Sequence, residues 1–140
     1  MKYDDSEYFF MNFTDDDLPV EAGATHIGMF MAWVIMHDLF SDDFHSTQEI
    51  EKVKSRKITG RDFVIDSCDG KLCDEDLSEE GNKFVMWYYE SKYFDDYCKV
   101  FEISGDGVNE FCGIEDKWEN FEKLTLVLDK RLNEWKKIYI

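Results

Sequence analysis

The most apolar run in this acidic chain of 140 residues is Thr25-His26-Ile27-Gly28-Met29-Phe30-Met31-Ala32-Trp33-Val34-Ile35-Met36. It predicts a helix over about residues 22–40, with Leu18-Pro19 before its start and Ser41-Asp42-Asp43 at its end. A helix that is hydrophobic nearly all round is normally enclosed by other elements. We therefore expect the rest of the chain to pack around this central helix.

A membrane span is the competing interpretation of this run. A span needs about 20 apolar residues, whereas the uninterrupted run covers only Ile27–Met36 and lies between two histidines, His26 and His37. There is also no Lys or Arg from Val20 to Glu51 to anchor a span at the membrane surface. The prediction is a protein that does not enter the membrane.

Capping residues predict the next helices along the chain. Ser46 and Thr59 each precede an acid by three residues, which is the capping-box pattern, and Ser78 precedes two acids in a first turn. Helices are expected over about 46–56, from 59 to about 69, and over about 79–101.

The C-terminal segment has apolar residues at helical spacing, and they predict an amphipathic helix. These residues are Trp118, Phe121, Leu124, Leu128, Leu132 and Trp135. Residues 104–107 have the composition of a turn, and residues 108–114 have no clear pattern. The predicted fold is all-α: a single compact domain over residues 1–140, with five or six helices around the central one. Residues 1–18 are expected to form an aromatic and acidic arm packed on it.

The start of the chain and its cysteines favour a cytoplasmic protein. The opening Met1-Lys2-Tyr3-Asp4-Asp5 lacks the basic and apolar regions of a signal peptide, so the four cysteines are expected to stay reduced. Cys68 and Cys73 are spaced too widely for the usual zinc knuckle, and no second Cys or His pair follows at ligand distance. We therefore expect no metal and no cofactor.

Charge indicates the kind of partner. The net charge is −16, and residues 1–50 hold eleven acids and one base. Direct nucleic-acid binding is not expected, because it needs a basic footprint. A basic protein is the favoured partner, since a field of this sign speeds its arrival. The candidate partner-binding residues are acids and rings of the most acidic stretches: Asp15, Asp16, Asp17, Asp42, Asp43, Asp74, Glu75, Asp76, Tyr89, Tyr93, Asp95 and Asp96.

Signals for catalysis are weak. His26 and His37 lie eleven residues apart, not at the spacing of three or four that a helical metal pair needs, and no Ser or Cys lies in a nucleophile motif. No catalytic residue is therefore predicted. Two alternatives stay open: a small-molecule-binding protein or hydrolase that uses His26, Trp33 and neighbouring acids, and a structural homo-oligomer that buries the extra rings.

Several phrases together resemble a family of bacterial domains with no assigned function, over roughly residues 3–135. They are Tyr3-Asp4-Asp5, Thr25–Phe30 with Trp33, Thr59–Phe63, Asp76–Asn82, and Trp118-x-Asn120-Phe121 with Asp129, Arg131 and Trp135. Small acidic bacterial proteins of this kind are similar in type to immunity proteins encoded beside toxins. The resemblance implies a non-catalytic antitoxin that neutralises a basic toxin, for example a nuclease.

Overall fold

The central helix, α2, spans Thr25–Met36 and comes after a 3₁₀ turn at Val20–Ala24. The computed structural model describes residues 1–104 and 107–140. Every residue of α2 except the last is buried, so the prediction of an enclosed helix is confirmed. The helix is shorter than the predicted 22–40, since residues 20–24 are 3₁₀ and Asp38 has a positive φ of 56° that ends the helical path.

Two capped helices come next, as predicted. α3 spans Thr47–Lys54 and α4 spans Gly60–Ser67. The Ser46 and Thr59 hydroxyls each accept a hydrogen bond from a backbone N–H three residues on, which replaces a missing helical partner. α4 crosses α2 at very close range. A Cβ at Gly60 would overlap the Gly28 carbonyl group, so the crossing has no room for a side chain at that position.

The N-terminal segment is more regular than the predicted arm. A strand, β1 (Lys2–Asp5), pairs antiparallel with β2 (Lys71–Cys73), and α1 (Glu7–Phe10) comes directly after β1. The paired segments are rich in charged residues and lack the alternating apolar pattern of a half-buried strand, which is why the sequence did not predict them. Residues further along do lie as an arm, with Phe13 and Leu18 packed against the core.

The predicted long helix over 79–101 is interrupted. α5 spans Glu79–Tyr88, a π-helical turn covers Tyr89–Tyr93, and α6 spans Phe94–Val100. A π turn adds a residue to the helical circuit and shifts the register of the residues after it. As a result four tyrosines that an uninterrupted helix would spread over two faces are all buried: Tyr88, Tyr89, Tyr93 and Tyr97.

The remaining elements are α7 (Val108–Cys112) and α8 (Trp118–Tyr139). α8 buries the predicted apolar face against the core. The predicted turn at 104–107 includes residues 105 and 106, which lie outside the described part of the chain. The structure is mostly helical, and the all-α prediction is confirmed. Within 1–104 and 107–140, no helix has the length and apolar character needed to cross a membrane.

Candidate protein-binding site

Each of the three histidines contacts an aspartate, and His26 is the most enclosed of them. Its Nε2 lies 2.9 Å from Asp4 Oδ2, and the Tyr89 hydroxyl donates to the same oxygen at 2.6 Å. His26 is fully buried, with the rings of Phe9 and Phe111 at 4.4 and 4.8 Å. A substrate would have to displace these rings to reach His26, so the geometry favours a structural role.

Tyr89 and Tyr93 are not surface anchors, and their prediction as partner-binding residues is wrong. Both lie in the core, at 2% and 0% exposure. The Tyr93 hydroxyl donates to the His26 carbonyl oxygen at 2.6 Å. Burial and the nearby Asp4 carboxylate raise the pKa of Tyr89 well above its usual value, so it stays a neutral donor. The π turn that buries both rings has no sequence pattern that predicts it.

Asp76 and Asp96 are also buried, so their prediction as partner contacts is wrong. Asp76 accepts from the Cys73 backbone N–H at 2.8 Å and contacts a histidine. Asp96 accepts a two-point hydrogen bond from Arg131 at 2.9 and 3.0 Å and a third from Tyr88. Burial opposes ionisation of Asp96, but these donors and the Arg131 charge outweigh it and lower its pKa.

Four of the predicted acids lie on two neighbouring segments of the structure. We call these acids the loop patch, and they are Asp42, Asp43, Asp74 and Glu75. The Ser41 N–H donates to the Asp76 carbonyl oxygen at 3.0 Å, and this bond holds the first segment beside the second. Asp42, Asp43 and Glu75 are exposed. The loop patch has the charge for a basic partner, and its four residues are all acids.

A groove of about 270 Å³ lies between α1, α6 and α7. Each of the three helices contributes one ring to it, so we call it the aromatic groove. Its lining residues are Phe9, Phe94, Asp95, Cys98, Gly107, Val108 and Phe111. Phe9 and Phe111 stack at 5.7 Å, and Phe94 lies 5.3 Å from Phe111. The sequence does not predict this site, because its lining comes from three segments far apart in the chain.

Acids flank the aromatic groove. Asp95 is exposed and belongs to its lining. The arm is tied beside α7, since Thr14 and Asn109 exchange two hydrogen bonds, at 3.2 and 2.6 Å. Exposed Asp15, Asp16 and Asp17 come directly after Thr14. One predicted acid thus lies in the lining of the groove, and three more follow a residue that is bonded to α7. An apolar centre with acids nearby is the arrangement of many interfaces.

A second buried cluster joins His45, Asp76 and Cys68. His45 Nε2 lies 2.9 Å from Asp76 Oδ1 and 4.0 Å from Cys68 Sγ. A nucleophilic triad uses one ring nitrogen for the nucleophile and the other for the acid, whereas here one nitrogen faces both. Burial and the Asp76 carboxylate raise the pKa of the Cys68 thiol, so the thiol is protonated at neutral pH. The arrangement does not support nucleophilic catalysis.

Comparison with known proteins assigns the chain to a family. None of the curated proteins and none of the solved structures matches it. A family model matches residues 2–110, which include α1–α6, the loop patch and most of the lining of the aromatic groove. The motif residues of α8 fall outside this match, so the predicted resemblance over 3–135 is confirmed only for its first part. The chain thus belongs to the family described as a domain of unknown function, DUF7832.

Proposed function

We propose that this protein is a non-catalytic binding protein for a basic protein partner, and that it acts as an immunity protein against a bacterial toxin. The observation that carries the proposal is the aromatic groove with exposed Asp95 in its lining, beside the arm in which exposed Asp15, Asp16 and Asp17 follow a residue bonded to α7. Aromatic side chains at the centre of a small pocket supply most of the affinity in many interfaces. The surrounding acids supply the orientation and the speed of encounter.

The chemistry of the groove defines its occupant. About 270 Å³ of ring-lined space accommodates one large apolar side chain. Carboxylates at the rim favour Lys or Arg beside that side chain on the partner. A second copy of this chain is a poor occupant, because each copy has a net charge of −16 and the two would repel. The predicted partner is therefore a basic segment with one exposed apolar anchor.

The test starts with co-expression with the product of the adjacent gene. A toxic product that this protein binds and neutralises supports the proposal. If the product is harmless, or is toxic and neither bound nor neutralised, the immunity function is wrong. Association and dissociation rates of the purified complexes are then measured by surface plasmon resonance. These rates distinguish the contribution of charge to binding from that of packing.

Two double variants test where the partner binds. The first, Asp15→Asn with Asp16→Asn, removes two charges from the arm beside α7, and the second, Asp42→Asn with Asp43→Asn, removes two charges from the loop patch. We expect the first double variant to slow association more than the second, and this difference in rate to shrink as salt screens the field. Equal effects of the two double variants would contradict a site at the groove.

Val108→Lys places a cation in the groove lining, and we expect it to speed dissociation about tenfold or more, since most interface changes act on the off-rate. Leu126→Lys on α8 is the control, because Leu126 is 73% exposed and outside the groove. Size-exclusion chromatography with light scattering tests the homo-oligomer alternative. A dimer that Val108→Lys dissociates would assign the groove to self-association.

A further inference from the structure

We infer that His45, Cys68 and Asp76 form a binding site for a zinc ion. Their ligand atoms are the His45 imidazole nitrogen, the Cys68 sulfur and an Asp76 carboxylate oxygen, and all lie within 4.8 Å of one another. The three residues come from the loop after α2, the C-terminal end of α4 and the 3₁₀ turn after β2. This site is separate from the aromatic groove and does not depend on the proposed function.

The distances suit one shared ion. With Zn–N and Zn–O bonds of about 2.0–2.1 Å and a Zn–S bond of about 2.3 Å, tetrahedral geometry separates the ligand atoms by roughly 3.3–3.7 Å. His45 Nε2 lies 2.9 Å from Asp76 Oδ1 and 4.0 Å from Cys68 Sγ. Shifts of a few tenths of an ångström bring these two contacts to ligand geometry, and the third pair, Asp76 and Cys68, has its ligand atoms within 4.8 Å.

The other two histidines show what distinguishes this cluster. His26 and His37 each place Nε2 at 2.9 Å from one carboxylate oxygen, as an ordinary His–Asp hydrogen bond does. Only the His45 pair has a sulfur from a third segment directed at the same nitrogen among the residues that the structure describes. Without an ion, the His45 imidazole N–H and the Cys68 S–H can both donate to the Asp76 carboxylate. Three potential ligand atoms from separate segments therefore converge on one point, which is what a shared cation requires.

The surroundings are those of a metal site. The second oxygen of Asp76 accepts from the Cys73 N–H at 2.8 Å, which fixes the carboxylate as outer-shell hydrogen bonds do around bound metals. Phe63 and Phe44 pack edge-on against the His45 ring at 5.0 and 4.9 Å. These rings form an apolar shell that limits the access of water. The His45 and Asp76 side chains are both 3% exposed.

The ligand set selects the ion. Thiolate with imidazole and carboxylate suits Zn²⁺, whereas Mg²⁺ and Ca²⁺ prefer oxygen ligands alone. When Zn²⁺ binds, the thiol loses its proton to solvent and the sulfur becomes a ligand. Three protein ligands leave one tetrahedral position for water. The ion would join three segments that are distant in sequence, so its binding is expected to raise the unfolding temperature.

The test uses full-length protein stripped with a chelator and titrated with Co²⁺, then with Zn²⁺. We expect one Co²⁺ per chain with a sulfur-to-cobalt charge-transfer band, which Zn²⁺ abolishes by displacement. Cys68→Ser should abolish the band and weaken Zn²⁺ binding about tenfold or more, while Cys98→Ser, which removes a thiol outside the site, should change neither. His45→Gln is compared with His37→Gln in the same way, and circular dichroism confirms that each variant is folded.

Several results would overturn the inference. They are the lack of a charge-transfer band in the wild-type protein, a band that persists in Cys68→Ser, and equal losses in Cys68→Ser and Cys98→Ser. Weak binding of several ions that Cys68→Ser leaves unchanged would show adventitious binding to surface acids and would overturn it as well. If Cys68→Ser is unfolded, a cobalt band in wild type that is retained in His37→Gln and lost in folded His45→Gln supports the site, and any other pattern refutes it.

Discussion

Single residues at the centre of the fold combine apolar burial with a hydrogen bond. Trp33 is fully buried, and its indole N–H donates to Asp129 Oδ1 at 2.9 Å. The His37 ring lies 4.6 Å from the Trp33 ring and contacts the same oxygen of Asp129. α2 and α8 are thus joined by a polar contact at the end of a large apolar side chain. Such buried N–H groups normally have a partner, because an unpaired one is costly.

Trp33→Ala is expected to lower the free energy of unfolding by about 3–5 kcal/mol, because it leaves a cavity where α2 is most enclosed. Urea denaturation followed by circular dichroism measures this. Trp87→Ala is the matched control and should cost clearly less, because Trp87 is only partly buried. If Trp33→Ala is as stable as wild type yet no longer binds a partner, α2 lines an open site and the structural assignment of Trp33 is wrong.

Gly28→Ala is expected to destabilise the fold by about 3 kcal/mol or more, at the upper end of the range for overpacked cores. A Cβ at Gly28 would overlap the backbone of Gly60 and Arg61, so the two helices would have to separate. Gly107→Ala is the control, since a Cβ there meets nothing within 4 Å. Thermal unfolding of the two variants beside wild type measures the difference. A similar melting temperature for both would contradict the close helix crossing.

The π turn and one ion pair connect α5, α6 and α8. The turn at Tyr89–Tyr93 directs successive tyrosines to the core, and α6 then places Asp96 opposite Arg131 of α8. This pair is largely buried and receives a third hydrogen bond from Tyr88 of α5. Three helices therefore meet at one carboxylate. Removing one member of such a pair leaves the other partner without compensation in a poorly solvated place.

Asp96→Asn is expected to cost about 2–3 kcal/mol at neutral pH, and this cost should diminish in acid. The pKa of Asp96 is lowered in the folded protein, so its stabilising contribution is complete above its usual value of 3.8 and is lost as the pH falls through the folded value. Urea denaturation from neutral pH to below pH 3.8 measures the difference in the free energy of unfolding between wild type and variant.

The control for this pair is Glu134→Gln, which removes the other carboxylate bound to Arg131. Glu134 is 40% exposed, so its ion pair is solvated and should contribute little at any pH. If the difference in the free energy of unfolding between wild type and Asp96→Asn stays constant as the pH falls, the ionised carboxylate of Asp96 does not stabilise the fold.

At the scale of the whole molecule, the net charge of −16 opposes compactness. Many acids are exposed, including those of the arm and the loop patch, and like charges that folding brings together repel each other. The folded chain tolerates this because its core is extensive and rich in aromatic rings. The same charge is the feature that favours a basic partner.

Added salt is therefore expected to stabilise the protein. Between about 0.01 M and 0.15 M ionic strength the screening length falls from about 30 Å to about 8 Å. Relief of about 1 kcal/mol of repulsion would raise the melting temperature by a few degrees at this chain length. Scanning calorimetry in potassium chloride measures it. The variant with Asn at positions 15, 16 and 17 should show a smaller rise, and a melting temperature independent of salt would refute the effect.

Features that depend on neighbours in the chain are predictable from the sequence. The caps at Ser46, Thr59 and Ser78 and the apolar spacing of α8 are local signals, because a cap or a helical face is made by residues within a few turns. The all-apolar run from Ile27 predicted the enclosed α2 for the same reason. The acidic surface also follows from composition alone, and Asp15–Asp17, Asp42 and Asp43 are exposed as expected.

Which acids and rings reach the surface, and which functional groups meet, depends on the packing of distant segments. Tyr89, Tyr93 and Asp96 resemble exposed candidates in the sequence, but partners 35 to 85 residues away bury or bind them. His45, Cys68 and Asp76 meet because a loop, a helix end and a 3₁₀ turn converge. The aromatic groove forms in the same way from α1, α6 and α7. Such contacts depend on packing between distant segments, and spacing along the chain does not encode them.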